Sequence, residues 1–123
     1  MDRNQKIVIC GNTDEKYEKL AAAIAGNAEA ETIAVLVLTE GAAIGVAEQL
    51  KQRLGEDKVT RLHKDTMKFK AGIVVTTYYL AKGLEFDAVY VADGENPVYQ
   101  TELGKQAMYI CATRALHSLD IYK

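Results

Sequence analysis

The 123-residue chain has no long apolar run, a single proline, two cysteines and no excess of basic residues. Without an apolar stretch of bilayer length, insertion into a membrane is not expected. Cys10 and Cys111 both lie in apolar runs, outside any CxxC pair or Cys/His cluster of metal spacing. They read as buried, reduced thiols, and no metal site is expected. A net charge of −2 removes any overall electrostatic case for nucleic acid. The local exception is "RLHKDTMKFK", where Arg61, Lys64, Lys68 and Lys70 stand against one acid, Asp65; such a strip is usually just a solvated loop face.

Signature motifs are missing as well. There is no GxxxxGK[ST], and "GNTDEKY" lacks the second and third glycines of GxGxxG. The chain therefore carries no self-sufficient phosphate cradle. His63 and His117 are far apart and belong to no triad pattern, which disfavours a Ser or Cys hydrolase. The opening "MDRNQKIVIC" enters a β-like run directly, with neither a long apolar region nor an Arg- and Ser-rich presequence. Cytoplasmic placement is the expectation.

What is present is an ordinary globular composition, 49% apolar and 26% charged, of a length that suits one domain over residues 1–123. "KIVIC" reads as a strand and "NTDEKYEKLAAAIAG" as a helix, with Tyr17, Leu20, Ala21 and Ile24 at helical spacing, Asn12 or Thr13 as cap and Gly26 as stop. "TIAVLVLT" is an uninterrupted apolar strand, the kind that lies in mid-sheet with both faces covered. "EGAAIGVAEQLKQRLG" follows as a helix with Ile44, Ala47, Leu50 and Leu54 on one face. Then come a short strand "KVTRLH", the strands "AGIVVTTYYL" and "AVYVADG", a helix with Leu103, Ala107, Ile110 and Leu116 in its stripe, and a last strand "LDIYK". Pro97 sits in the most loop-like segment, "DGENPVY". Alternation of this kind predicts an α/β layer with a mainly parallel sheet, whose ligands sit at the carboxyl ends of the strands.

Two constellations are poorly explained by packing. In "LAKGLEFD", Lys82, Gly83 and Glu85 each weaken helix or sheet, yet they stand between two apolar strands. In "YICATRAL", Arg114 interrupts an apolar helical stripe, with Thr113 beside it. Such an arginine either snorkels to solvent or supplies bidentate donors to phosphate. Together the two segments suggest an anion site completed by another domain.

At these residues the sequence resembles the second RecA-like domain of superfamily 1 helicases of the UvrD/Rep type. "TTYYLAKGLEFDAVYV" is similar to that family's motif V, and "MYICATRALHSL" to its motif VI. The Tyr-Leu-Ala-Lys-Gly-Leu-Glu-Phe-Asp form is nearest the HelD-like branch, which includes factors acting on RNA polymerase. The resemblance implies a three-layer RecA-like fold and the motor half of an ATP-dependent DNA helicase. It further implies a fragment of a longer chain, inactive alone, because the phosphate loop and the acidic magnesium motif belong to the family's first domain. ATP with Mg2+ would be the cofactor. Partners would be single-stranded DNA and the first RecA-like domain of the full-length chain, with RNA polymerase, or the protein partner of a degenerate module, as alternatives.

By the same resemblance, Arg114 would be the arginine finger at the γ-phosphate, Gly83 would admit the nucleotide, and Glu85 would accept from the ribose hydroxyl. Thr77, Lys82 and Tyr79 would face DNA, and Tyr109 would pack behind the finger. "LAKGLEFD" would then couple nucleotide to strand. The chain departs from the family pattern in having no basic residue before Lys51 in "VLVLTEGAAIGVAEQL", Tyr79 where a histidine is frequent, and Gln106 where an arginine is common.

Overall fold

The computed structural model describes residues 4–63 and 72–123, so the basic strip beyond His63 lies outside the described residues. In chain order the elements are β1 (Asn4–Val8), α1 (Thr13–Ala25), β2 (Thr32–Val37), α2 (Glu40–Leu54), β3 (Val59–Arg61), β4 (Gly72–Thr77), β5 (Phe86–Val91), α3 (Glu102–Thr113) and β6 (Ala115–Tyr122), with a 3₁₀ turn over Pro97–Gln100. Each helix begins where a polar side chain takes up an orphan amide. Asn12 accepts from Glu15 N, Thr39 from Ala42 N and Thr101 from Gly104 N. Asn12, rather than Thr13, is thus the first cap.

Among the described residues six strands form one sheet in the order β1-β6-β5-β2-β4-β3, and every ladder among them is parallel. β2 lies inside it and is apolar from Ile33 to Val37 because it feeds two cores. Ile33, Val35 and Val37 meet α1 and α2 on one face. Ala34 and Leu36 meet α3 and the 78–85 segment on the other. Among the described residues no helix is long and apolar enough to cross a membrane.

Several expected details differ. The inward face of α2 is Ala43, Val46, Ala47 and Leu50, and Ile44 points outward. The expected stripe of the last helix is also turned. α3 buries Gly104, Ala107 and Cys111, leaves Leu103 exposed, and ends at Thr113, so that Leu116 belongs to β6. Small residues face inward because α3 lies against the 3₁₀ turn, where a Cβ on Gly104 would fall 1.7 Å from the Val98 carbonyl oxygen. The expected last strand grows into the eight-residue β6, held between β1 and β5. Cys111 is buried as expected, whereas Cys10 is only half-buried; neither forms a disulfide.

The largest revision concerns "LAKGLEFD". It is no simple bend. β4 and β5 are both parallel neighbours of β2, so Thr77 ends at the carboxyl edge of the sheet while Phe86 starts at the amino edge. Residues 78–85 therefore cross the whole sheet face, a journey usually made through a helix.

Candidate functional site

The crossover starts in a tight turn. Tyr78 N donates to the Val37 carbonyl, Ala81 N to the Thr77 carbonyl and Leu80 N to the Thr77 hydroxyl. Ala81 and Phe86, both fully buried, then anchor the segment at two points. Between these anchors Lys82, Gly83 and Glu85 are left exposed. Gly83 takes φ +84°, a left-handed conformation that glycine enters at no steric cost, and a Cβ there would meet nothing within 4 Å. The glycine is required by conformation, and the space before it is open.

Arg114 is brought to the far end of this crossover. It caps the C-terminus of α3, and its carbonyl accepts from Phe86 N at 2.8 Å, so the residue lies beside Glu85 and Phe86 at the amino edge. The two segments singled out in the sequence thus share one corner of the fold. The Arg114 side chain is half-buried. Its Nη2 donates to the Thr113 hydroxyl at 3.2 Å, and that hydroxyl donates to the Ile110 carbonyl at 2.8 Å. The Nε is buried without a partner. No carboxylate among the described residues forms an ion pair with Arg114. A buried guanidinium N–H left unmatched costs roughly 1–3 kcal/mol; the atom is closed to solvent, so an anion would meet it through a charge-assisted bond only once the side chain moves.

The neighbouring Asp87 has a structural task. Its carboxylate accepts from Glu31 N at 2.8 Å and Thr32 N at 3.1 Å, while its own amide donates to the Thr32 hydroxyl at 2.9 Å. This clamps the start of β5 to the start of β2. The Thr32 amide, then that of Glu31, hold its pKa below the usual carboxylate value, with a smaller contribution from His117. Sequence reasoning left Asp87 without a role; its one legible sign is a carboxylate opening an apolar strand. An open depression of about 470 Å³ lies beside it, lined by Asn27, Glu29, Ala30, Asp87, Ala88, His117 and Ser118. Two carboxylates in its wall disfavour a phosphate there.

The remaining expected site residues are distributed unevenly. Tyr79 is exposed just past the carboxyl end of β4, set edge-on against Tyr78 with ring centroids 5.3 Å apart. Thr77 is fully buried and its hydroxyl serves the Leu80 amide, so it holds the turn and offers no surface to a strand. Tyr109 is 70% exposed and does not pack behind Arg114, which corrects the expectation for it. Ligands were expected at the carboxyl edge, yet Arg114 and Glu85 lie at the amino edge, because each directly precedes a strand that begins there. Among the described residues no group of three His, Cys, Asp or Glu side chains could hold a metal ion.

A half-buried polar group, absent from the sequence reading, is Asp93, just past the carboxyl end of β5. It accepts from Leu38 N at 2.9 Å and from the Tyr99 hydroxyl at 2.7 Å. Burial pushes its pKa up, and burial followed by Asp93 itself pushes the Tyr99 hydroxyl up further. Burial also raises the Cys111 thiol to about 12, which makes it an inert core residue.

Comparison with known proteins places this geometry. No curated protein sequence matches the chain. Among solved structures, the C-terminal domain of a possible DNA helicase from Lactobacillus plantarum WCFS1 is 30% identical, with a TM-score of 0.79 over 99% of this chain and 73% of that one. The C-terminal domain of the DEAD-box protein Dbp5 is similar in fold at 17% identity, with a TM-score of 0.67 over 99% of this chain and 77% of that one. Saccharomyces cerevisiae Dbp5 bound to RNA and ADP BeF3 is 17% identical, with a TM-score of 0.71 over all of this chain and 36% of that one. The sequence pattern of the UvrD-like helicase C-terminal domain matches residues 72–122, the span that holds the crossover and Arg114. With its RecA-like sheet, the chain belongs to the family of UvrD-like helicase C-terminal domains.

Proposed function

We propose that this chain is the second motor domain of an ATP-dependent translocase acting on single-stranded DNA, and that it completes a nucleotide site whose phosphate loop lies on a first RecA-like domain. The observation that carries the proposal is Arg114: a guanidinium with a buried, unmatched Nε and no carboxylate partner among the described residues, held by a backbone bond against the segment that exposes Gly83 and Glu85.

The residues fit the periphery of a nucleotide. Arg114 would donate to the terminal phosphate, the open space at Gly83 would admit the sugar, and Glu85 would accept from a ribose hydroxyl. Ligands for the magnesium ion and the phosphate cradle would come from the first domain. When bound, ATP supplies the phosphoryl transfer; this chain stabilises charge and senses the state of the nucleotide through the crossover. At the other end of that crossover the exposed Tyr79 offers a stacking face, and Lys82, next to Gly83 in mid-crossover, offers a cation to the phosphodiester backbone. Both suit a grip that ignores sequence. Thr77 positions this end through the Leu80 amide instead of touching the strand.

The test is Arg114→Ala in the complete protein. Turnover is expected to fall on the order of ~10³-fold while nucleotide affinity is retained. Turnover within a few-fold of the parent would remove the trans-acting role.

A further inference from the structure

β1 forms one edge of the sheet, and its outer side is unpaired among the described residues. In a parallel ladder a residue turns its N–H and C=O to the same side. The Val8 carbonyl accepts from Lys123 N and Cys10 N donates to the Lys123 carbonyl, so the even-numbered residues of this segment bond to β6. Gln5, Ile7 and Ile9 therefore point their backbone groups away from the sheet. Natural edges are blunted by a proline, a bulge or an outward charge. β1 holds no proline, its register with β6 is unbroken, and its one charge, Lys6, stands opposite Asp120 on the α1 side of the sheet. On the α3 side Ile7 is 53% exposed and Ile9 is 68% exposed. Beside them lies a groove of about 260 Å³, lined by Ile7, Tyr99, Met108 and Ile121 together with Lys105 and Lys123. No carboxylate lines it, and neither lysine forms an ion pair among the described residues.

We infer that the β1 edge and this groove form a docking site for an extended segment of a partner protein, apolar at alternate positions and bearing carboxylates, which joins the sheet as a seventh strand. The two halves of the site ask for different properties. The outward N–H and C=O groups of Gln5, Ile7 and Ile9 accept any extended backbone, so selectivity falls to the side chains. Residues directly opposite in a strand pair share a face of the sheet. A long apolar side chain set opposite Ile7 would thus lean over it into the groove, and a neighbouring carboxylate would find Lys105 and Lys123 with no ion pair to displace. A second copy of this chain fits poorly, because the strand it would offer, β1, has no acid from Asn4 to Ile9. Nucleic acid supplies anions but no strand backbone for the open edge. Lys105 stands near the start of α3 and Arg114 at its end, so the site is separate from the corner proposed for nucleotide.

The experiment selects short random peptides, displayed on phage, against the complete protein, and then follows amide hydrogen exchange by NMR with the tightest peptide bound. The expected peptides alternate apolar residues and carry Asp or Glu. Bound, they should slow exchange of the Gln5, Ile7 and Ile9 amides at least ~10-fold, while those of Lys6 and Val8, already turned to β6, change little. Ile7→Pro removes one outward N–H without touching the β1–β6 ladder and should weaken the peptide at least ~10-fold. Lys105→Glu with Lys123→Glu should weaken it by a similar factor and favour a counterpart whose acids are replaced by lysine. Urea melts check that both proteins stay folded; if Ile7→Pro does not, the lysine pair decides alone, since it makes no ion pair in the fold. An empty selection, peptides without acids, slowing confined to other amides, or affinity indifferent to the folded variants overturns the inference. So does slowing at Gln5, Ile7 and Ile9 that follows protein concentration or added single-stranded DNA without peptide, which would assign the edge to a second copy or to nucleic acid.

Discussion

At the carboxyl edge of the sheet polar side chains are matched: Asp93 has Leu38 N and Tyr99, Lys16 has Glu95 at 2.6 Å and the Ala92 carbonyl, and Thr77 has Leu80 N. At the amino edge Asp87 is matched in the same way, yet Arg114 beside it keeps a buried Nε without a partner. Satisfied groups of the first kind tie β5 to its neighbours and serve the fold. An unsatisfied one costs stability, and the domain retains it where the crossover also exposes Gly83 and Glu85. Under the function proposed for Arg114, the contrast would separate residues kept for folding from one kept for a partner.

Arg114→Ala should show the largest divergence between activity and stability. Beside the ~10³-fold loss of turnover, the urea midpoint of the domain should hold or rise, since a buried unmatched donor is removed. A drop in the midpoint would move Arg114 into the structural group. Next in size are two glycines of opposite kinds. Gly104→Ala drives a Cβ into the backbone of the 3₁₀ turn and should cost about 3 kcal/mol or more. Gly83→Ala meets no atom and should cost only about 1–2 kcal/mol, from its left-handed φ. Denaturant melts of the two variants would break the comparison if their costs proved equal.

The two aspartates should respond to acid with opposite signs. Asp87 has a folded pKa below its ordinary 3.8, so its contribution is present above that value and fades as pH falls through the depressed one. The penalty of Asp87→Asn should therefore shrink in the most acidic melts. Asp93 has a raised folded pKa, so its charged form is disfavoured above that value and protonation relieves it as pH falls toward 3.8. Relative to Asp93→Asn, the parent should gain stability across that window. Urea melts at pH 7, 5 and 3 would show both slopes, and equal signs would contradict the assigned environments. The smallest effect is expected at Lys82. Lys82→Ala should weaken single-stranded DNA binding and reduce the salt slope by about 0.7; an unchanged slope would take Lys82 off the strand.

Much of the fold is legible from periodicity. The apolar run of β2 announces a strand buried on both faces, and Asn12 or Thr13 announces a helix start, because capping and hydrophobic spacing are local. Errors arise where neighbours decide. Ile44 and Leu103 satisfy helical spacing but face outward, since which side of an apolar helix turns inward depends on what it must approach. α3 stops at Thr113 because β6 must begin at Ala115 to pair with Phe86. Tyr109 matches its motif position and yet finds no packing within this domain.

For the candidate site, the types and order of the residues were readable: a glycine and a glutamate between two strands, then an arginine after a helix. Those are properties of chain chemistry, and local rules suffice to flag them as costly to the fold. That Lys82, Gly83 and Glu85 ride on a crossover between opposite edges was decided by strand order, since β4 and β5 flank β2 and run parallel to it. That Arg114 meets the end of this crossover, with one N–H buried and unmatched, was decided by pairing between residues 28 positions apart, Phe86 and Arg114. Long-range backbone bonds and the packing around them set such a juxtaposition, and no local pattern encodes it.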